Sequence, residues 1–157
     1  MRILGIDPGT SLIGYGLIDF NGKNYQVLDY GNFRTPSKII NRYRVKLIYD
    51  YFDQLVKKYR PDKIALESLF FFKNNKTVIA VSEVRGVLLL VAANHGLQVG
   101  EYTPLQVKQA VSGYGRAEKS QVQKMVKLIL ELKEIPKPDD TADALALAIC
   151  CANTIVY

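Results

Sequence analysis

Asn21-Gly22 stands between two strand-like runs, Gly14 to Asp19 and Tyr25 to Arg34. An Asn-Gly pair supplies the positive-φ positions of a tight hairpin turn, so the N-terminal third is expected to hold an antiparallel pair. The apolar run Ile3 to Asp7 precedes that pair as a further strand. Then the period changes. Ile40, Tyr43, Leu47, Tyr51 and Leu55 recur every three or four residues, the spacing of an amphipathic helix. Arg42, Arg44, Lys46, Lys57 and Lys58 fall off that stripe, and Arg60-Pro61-Asp62 ends it. Lys63 to Glu67 is another short apolar strand. Val78 to Asn94 is apolar on most faces and is expected to be a buried helix, closed by Gly96. Leu97 to Tyr102 reads as one more strand. Thr103 caps the next helix and Pro104 takes its first position, so Leu105 to Ala110 is helical. A glycine-containing loop follows from Ser112 to Ala117, then a helix from Glu118 to Leu132. Pro136 and Pro138 break the chain before a last helix, Asp139 to Val156.

This order predicts an α/β fold: a mixed sheet, an antiparallel hairpin beside parallel strands, flanked by helices. The 157 residues show no repeat and no long linker, so residues 1–157 are expected to form a single domain. A domain of that size can bury a core without disulfides or a structural metal.

Composition narrows the chemistry. Cys150 and Cys151 are adjacent, which disfavours a bridge between them, and no Cys/His cluster offers a zinc site. Free thiols in a reducing compartment are expected. His95 is the only histidine, and it precedes Gly96 at a helix C-terminus, where a capping or exposed role outweighs a catalytic one. No apolar run approaches the roughly 18 residues of a membrane span. Met1 leads directly into the first strand without a basic leader, so a cytoplasmic protein is expected. The net charge of +6 favours a polyanionic partner such as nucleic acid, although solubility alone accounts for such a charge.

The acids occupy unusual places. Asp7 closes one apolar strand and Glu67 closes another, Ile64-Ala65-Leu66-Glu67. In open α/β sheets ligands gather at the carboxyl ends of strands, and a carboxylate there is costly to ionise unless paired or metal-bound. Asp140 and Asp143 stand three apart at the start of the last helix and so share a face. Each has an ordinary alternative: a Pro-Gly turn for Asp7, a solvated strand end for Glu67, an N-cap for Asp139 or Asp140. Taken together they point to a cation site of hard oxygen donors, suited to Mg²⁺ or Mn²⁺ rather than zinc. Two such ions about 4 Å apart are the recurrent solution for phosphodiester hydrolysis, and that chemistry needs no histidine.

Further motifs sit around these acids. Phe70-Phe71-Phe72 precedes Lys73-Asn74-Asn75-Lys76, an aromatic and basic stretch able to stack on unpaired bases, with Phe71 and Phe72 better read as core. Arg116 and Lys119 flank Ala117-Glu118 just after Gly113-Tyr114-Gly115, a loop able to follow a phosphate backbone. It lacks the spacing of an ATP-binding loop, so ATP binding through it is rejected. Gly5-Ile6-Asp7-Pro8-Gly9, Gly14-Tyr15-Gly16, Ala65 to Phe70 and Lys73-Asn74 form the first half of a longer pattern. Ala80 to Val87 with Arg85-Gly86, Gln106 to Gln109, Ala117 to Val122 and Asp140 to Ala146 complete it.

This pattern resembles the RuvC family of bacterial Holliday junction resolvases, within the ribonuclease H-like nuclease superfamily. The resemblance implies a ribonuclease H-like fold and a homodimeric, Mg²⁺-dependent endonuclease. Such an enzyme nicks two strands of a four-way DNA junction symmetrically, in recombination and repair. It implies Asp7, Glu67, Asp140 and Asp143 as the metal ligands and catalytic carboxylates, with two ions per site. Asp139 offers a competing register, and the family pattern favours Asp140. It further implies DNA contacts by Phe70, Lys108 and Lys119, to which the local reading adds Lys73 and Arg116. The branch-migration proteins RuvA and RuvB are implied partners. A sugar-kinase or actin-like ATPase shares the opening Asp-x-Gly pattern but needs a second nucleotide-binding half, for which the chain is too short.

Overall fold

The computed structural model describes residues 1–68 and 75–154, and of residues 75–77 the backbone only. The strands are β1 (Arg2–Asp7), β2 (Leu12–Phe20), β3 (Tyr25–Arg34), β4 (Lys63–Glu67) and β5 (Gln98–Tyr102). The helices among the described residues are α1 (Asn41–Tyr59), α2 (Asn75–Asn94), α3 (Pro104–Ser112), α4 (Lys119–Ile129) and α5 (Asp139–Thr154). The sheet runs in the order β3-β2-β1-β4-β5. β1, β2 and β3 pair antiparallel, while β1-β4 and β4-β5 are parallel. This is the expected mixed sheet, with the hairpin turning at Gly22, φ +93°.

The sheet separates two cores. On one face Ile3, Ala65, Ile18 and Phe20 pack with α3, α4 and α5. On the other, Leu4, Ile6, Ile64, Leu66, Tyr15 and Leu17 pack with α1 and α2. Successive strand residues alternate between faces, so β1 and β4, buried on both, read as continuous apolar runs. Among the described residues no helix is long and apolar enough to cross a membrane.

The seat of α5 explains the glycines of β1 and β2. A Cβ on Gly5 would stand 2.0 Å from the Ala144 carbonyl oxygen, and one on Gly14 2.0 Å from that of Asp140. One on Gly16 would meet the Leu145 side chain at 2.5 Å. The helix therefore lies directly on strand backbone, and all three glycines point to its face of the sheet. Ala144, Leu145, Ala148 and Cys151 of α5 are buried completely. Cys150 and Cys151 are buried free thiols.

Two helices depart from expectation. In α1 the buried stripe is Ile48, Phe52, Leu55 and Val56, whereas Ile40, Tyr43 and Leu47 are exposed. The sheet covers only the C-terminal half of α1. Its first turn instead reaches α2, where Asn41 donates to Glu83 at 2.8 Å. Nor is α2 buried all round. Val84, Leu88, Val91 and Ala92 face the core, but Ile79 is 63% and Leu90 52% exposed. One sheet face can bury only one stripe of a helix, and the rest of this apolar surface is left outward. His95 follows α2 and bonds Asp53 of α1 at 2.7 Å, away from the acids.

The contact between α5 and the glycines gives a direct test. Gly5→Ala is expected to cost about 3 kcal/mol, because backbone must move to admit the methyl. Gly22→Ala, in open space, is expected to cost about 1 kcal/mol through its positive φ alone. Urea unfolding of both variants checks this; equal losses would show that α5 tolerates displacement.

Candidate active site

Alternation along the strands places the first two acids. Asp7 continues the Ile3-Gly5 face of β1, and Glu67 continues the Ala65 face of β4, so both point toward α5. The strands are parallel neighbours with Ile6 opposite Leu66, which sets the two strand-end carboxylates side by side. On α5, Asp143 and Leu147 are four residues apart and share a face. The result is a cavity of about 240 Å³ at the carboxyl edge of the sheet, lined by Asp7, Glu67 and Asp143. Lys108 and Lys119 also line it, and Pro104, Val107, Val122 and Leu147 form its apolar wall.

Two of the helices entering the cavity have a defined start. Thr103 accepts from the Gln106 amide at 3.2 Å, and the Gln106 side chain accepts from the Thr103 amide at 2.9 Å. This capping box fixes the first turn of α3, and Lys108 follows on that helix. At the start of α4 the Gln121 side chain accepts from the Glu118 amide at 2.9 Å. Ala117 and Val122 are buried on either side of it, which directs Lys119 into the cavity. The stretch from Ala117 to Val122 thus combines an anchor, a cap, a cation and a wall residue.

The electrostatics are those of crowded carboxylates. Burial, then the charges of Glu67, Asp143 and Asp140, push the Asp7 carboxyl up to about 7, with Lys119 opposing. Burial, then Asp143, raises Glu67. Burial also raises Asp143, against its hydrogen bond with Lys119. The Lys119 ammonium lies 2.9 Å from Asp143 and 3.4 Å from Asp139. Burial lowers its pKa, but these contacts outweigh burial and hold it above the usual lysine range.

The expected residues divide as follows. Asp7, Glu67, Asp143, Lys108 and Lys119 meet in one cavity. Asp140 stands beside it: its charge acts on Asp7 and Asp143, but it does not line the cavity. Asp139 is exposed and pairs with Lys119. Arg116 is exposed between α3 and α4, outside the cavity. Phe70 and Lys73, with Phe71 and Phe72, lie outside the described residues. Two features were not anticipated. The apolar wall was hidden because its members are spread over three helices. Arg85 is 7% exposed and donates to the Glu67 carbonyl oxygen at 2.6 Å. An arginine inside the apolar helix α2 was the available signal for it.

Does a divalent cation suit this set? Among the described residues no three Asp, Glu, His or Cys side chains form a finished ligand shell. The donors nevertheless fit. They are hard oxygens held in one partly apolar cavity, where burial first and then their mutual repulsion raise Asp7 to about 7, and Lys119 offsets this only in part. A small divalent cation relieves that repulsion most directly.

Cavity and fold together define a nuclease class built on an acid-lined ribonuclease H-like sheet. The chain matches the family described as crossover junction endodeoxyribonuclease RuvC over residues 3–151. Proteins of that description from Alkaliphilus oremlandii and Halothermothrix orenii are 55% and 56% identical to it, each over 98% of this chain. The alignments cover 94% and 93% of those proteins. Among solved structures, T. thermophilus RuvC in complex with Holliday junction substrate superposes with TM-score 0.95 and 35% identity, covering 99% of this chain and 95% of that one. A yeast mitochondrial Holliday junction resolvase shares the fold at TM-score 0.70 and 13% identity, covering 96% of this chain and 77% of its own. The chain belongs to the RuvC family of crossover junction endodeoxyribonucleases.

The raised Asp7 carboxyl has a pH consequence. Below about 4 it is protonated folded or unfolded. Between about 4 and 7 the unfolded chain releases the proton while the folded chain holds it, so stability falls as pH rises, and above about 7 the loss is complete. Asp7→Asn removes this term. In chelator-containing buffer the variant is expected to gain roughly 2–4 kcal/mol relative to the parent between pH 4 and pH 8. Urea titrations at both pH values measure it; a pH-independent difference would contradict the crowding.

Proposed function

We propose that residues 1–157 act as one nuclease domain that resolves four-way DNA junctions. On this reading Asp7, Glu67, Asp140 and Asp143 hold Mg²⁺, for which Mn²⁺ substitutes, as two ions per site. The carrying observation is the cavity shared by Asp7, Glu67, Asp143, Lys108 and Lys119. Bound there, divalent ions would supply a more acidic water as nucleophile and neutralise charge on the departing oxygen.

The side chains divide the remaining work. Asp7 and Glu67, fixed at the ends of adjacent strands, set the position of the scissile phosphate's cation-facing side. Asp143 and Asp140 approach it from α5. Lys119, which pairs with Asp143 at the cavity, would face a non-bridging phosphate oxygen and offset developing charge. Lys108 does the same from α3. Arg116 and Lys73 contact the DNA backbone, and Phe70 stacks where the bases part. Among the described residues there is one such cavity, and paired symmetric nicks on strands of like polarity need two, so the active form is a homodimer. Cytoplasmic action beside RuvA and RuvB completes the reading, as the family membership implies.

The test is cleavage of a synthetic four-way junction with and without Mg²⁺. Paired symmetric nicks that require the ion are expected. Equal cleavage of simple duplex, or none with any divalent ion, would refute the proposal. Asp7→Asn is expected to retain junction binding and lose at least about 1,000-fold in rate, since removing a group that stabilises transition-state charge costs about that much. Asp140→Asn is expected to lose far more activity than Asp139→Asn; equal losses would reject Asp140 as the ligand. Phe70→Ala should lose cleavage more than binding, and equal loss of both would reject stacking.

A further inference from the structure

Arg85 is the one charged side chain among the described residues that is buried. A buried guanidinium is strongly unfavourable unless its donors and charge are met. Both are met, and at an informative place. One terminal nitrogen donates to the carbonyl oxygen of Glu67 at 2.6 Å, and the other lies 2.5 Å from a carboxylate oxygen of Glu101 on β5. Glu67 is the last residue of β4, and the pairing of β4 with β1 stops one residue earlier, at Leu66. On the β5 side the ladder ends with Glu67 opposite Tyr102, and the Ser68 amide donates to the Tyr102 carbonyl at 2.8 Å. The strand end that bears a cavity carboxylate is thus held by β5 on one side and by a side chain from α2.

We infer that Arg85 is a positioning residue for the cation site: it fixes the terminal peptide of β4, and with it the direction of the Glu67 carboxylate. The fork of arginine spans a carbonyl and a carboxylate at once, and a lysine reaches only one of them at the same distance. The same contact ties the middle of α2 to the catalytic strand. Glu101, half exposed, neutralises Arg85 without entering the cavity. The inference rests on Glu67 as a metal ligand, so the experiment separates the two.

Mn²⁺ affinity of the DNA-free full-length chain is measured by electron paramagnetic resonance for the parent, Glu67→Gln, Arg85→Lys and Glu101→Gln. Exchange of the Ser68 amide and thermal unfolding accompany it. Glu67→Gln is expected to weaken Mn²⁺ binding; no change there overturns the metal reading itself. With that loss in place, Arg85→Lys is expected to weaken Mn²⁺ about tenfold, as loss of a supporting shell does. It should also speed Ser68 exchange and leave junction affinity in chelator within about twofold, on the same scale of second-shell effects. Unchanged Mn²⁺ affinity in folded Arg85→Lys overturns the inference, as does a fall in thermal stability alone, the mark of plain packing. Should Arg85→Lys not fold, Glu101→Gln decides: Mn²⁺ weakened about threefold supports the inference, and unchanged affinity overturns it.

Discussion

Helix α5 resting on bare strand backbone is the contact on which the molecule turns. Gly5 and Gly14 leave no room for a Cβ beneath the carbonyls of Ala144 and Asp140. Because the helix comes this close, its first turns reach the carboxyl edge of β1, and Asp143 enters the same cavity as Asp7 and Glu67. A helix standing off by the width of ordinary side chains would leave those acids apart. The glycines are therefore part of the site, although none touches the cavity.

That placement sets the electrostatics. Three carboxylates share one partly buried space, and burial first, with the charge of neighbouring acids added, displaces Asp7, Glu67 and Asp143 upward. Lys119 offsets part of it from α4. A fold does not maintain such crowding for its own stability. Such crowding is what a divalent cation would relieve, as the proposed function requires.

Much of this was legible in the sequence, for identifiable reasons. Asn21-Gly22, the apolar runs of β1 and β4, and Thr103-Pro104 each encode their structure locally, and each lies where expected. The strand-end acids could be singled out because two of them close apolar runs while an Asp-x-x-Asp opens an apolar helix, a combination that no one ordinary role covers. What could not be read is whatever depends on the depth of packing. The apolar residues on most faces of α2 suggested a buried helix, yet Ile79 and Leu90 face outward, since periodicity reports which residues are apolar and not how much sheet is present to cover them. The stripe assigned to α1 began two turns too early for the same reason. Arg85 was seen only as part of a pattern, because its partners are a peptide carbonyl and a residue on another strand. Family membership secures the crossover junction endodeoxyribonuclease class; the roles proposed for the individual acids rest on the shared cavity.

The central claim is that the contact of α5 with the sheet assembles Asp7, Glu67 and Asp143 into a cation site. Anomalous diffraction from crystals of the full chain grown with Mn²⁺ tests it most directly. The account predicts anomalous density bonded to carboxylate oxygens of Asp7, Glu67 and Asp143, with Lys119 displaced from Asp143. Mn²⁺ bound elsewhere, or a cavity in which Lys119 still holds Asp143 at saturating Mn²⁺, would contradict it.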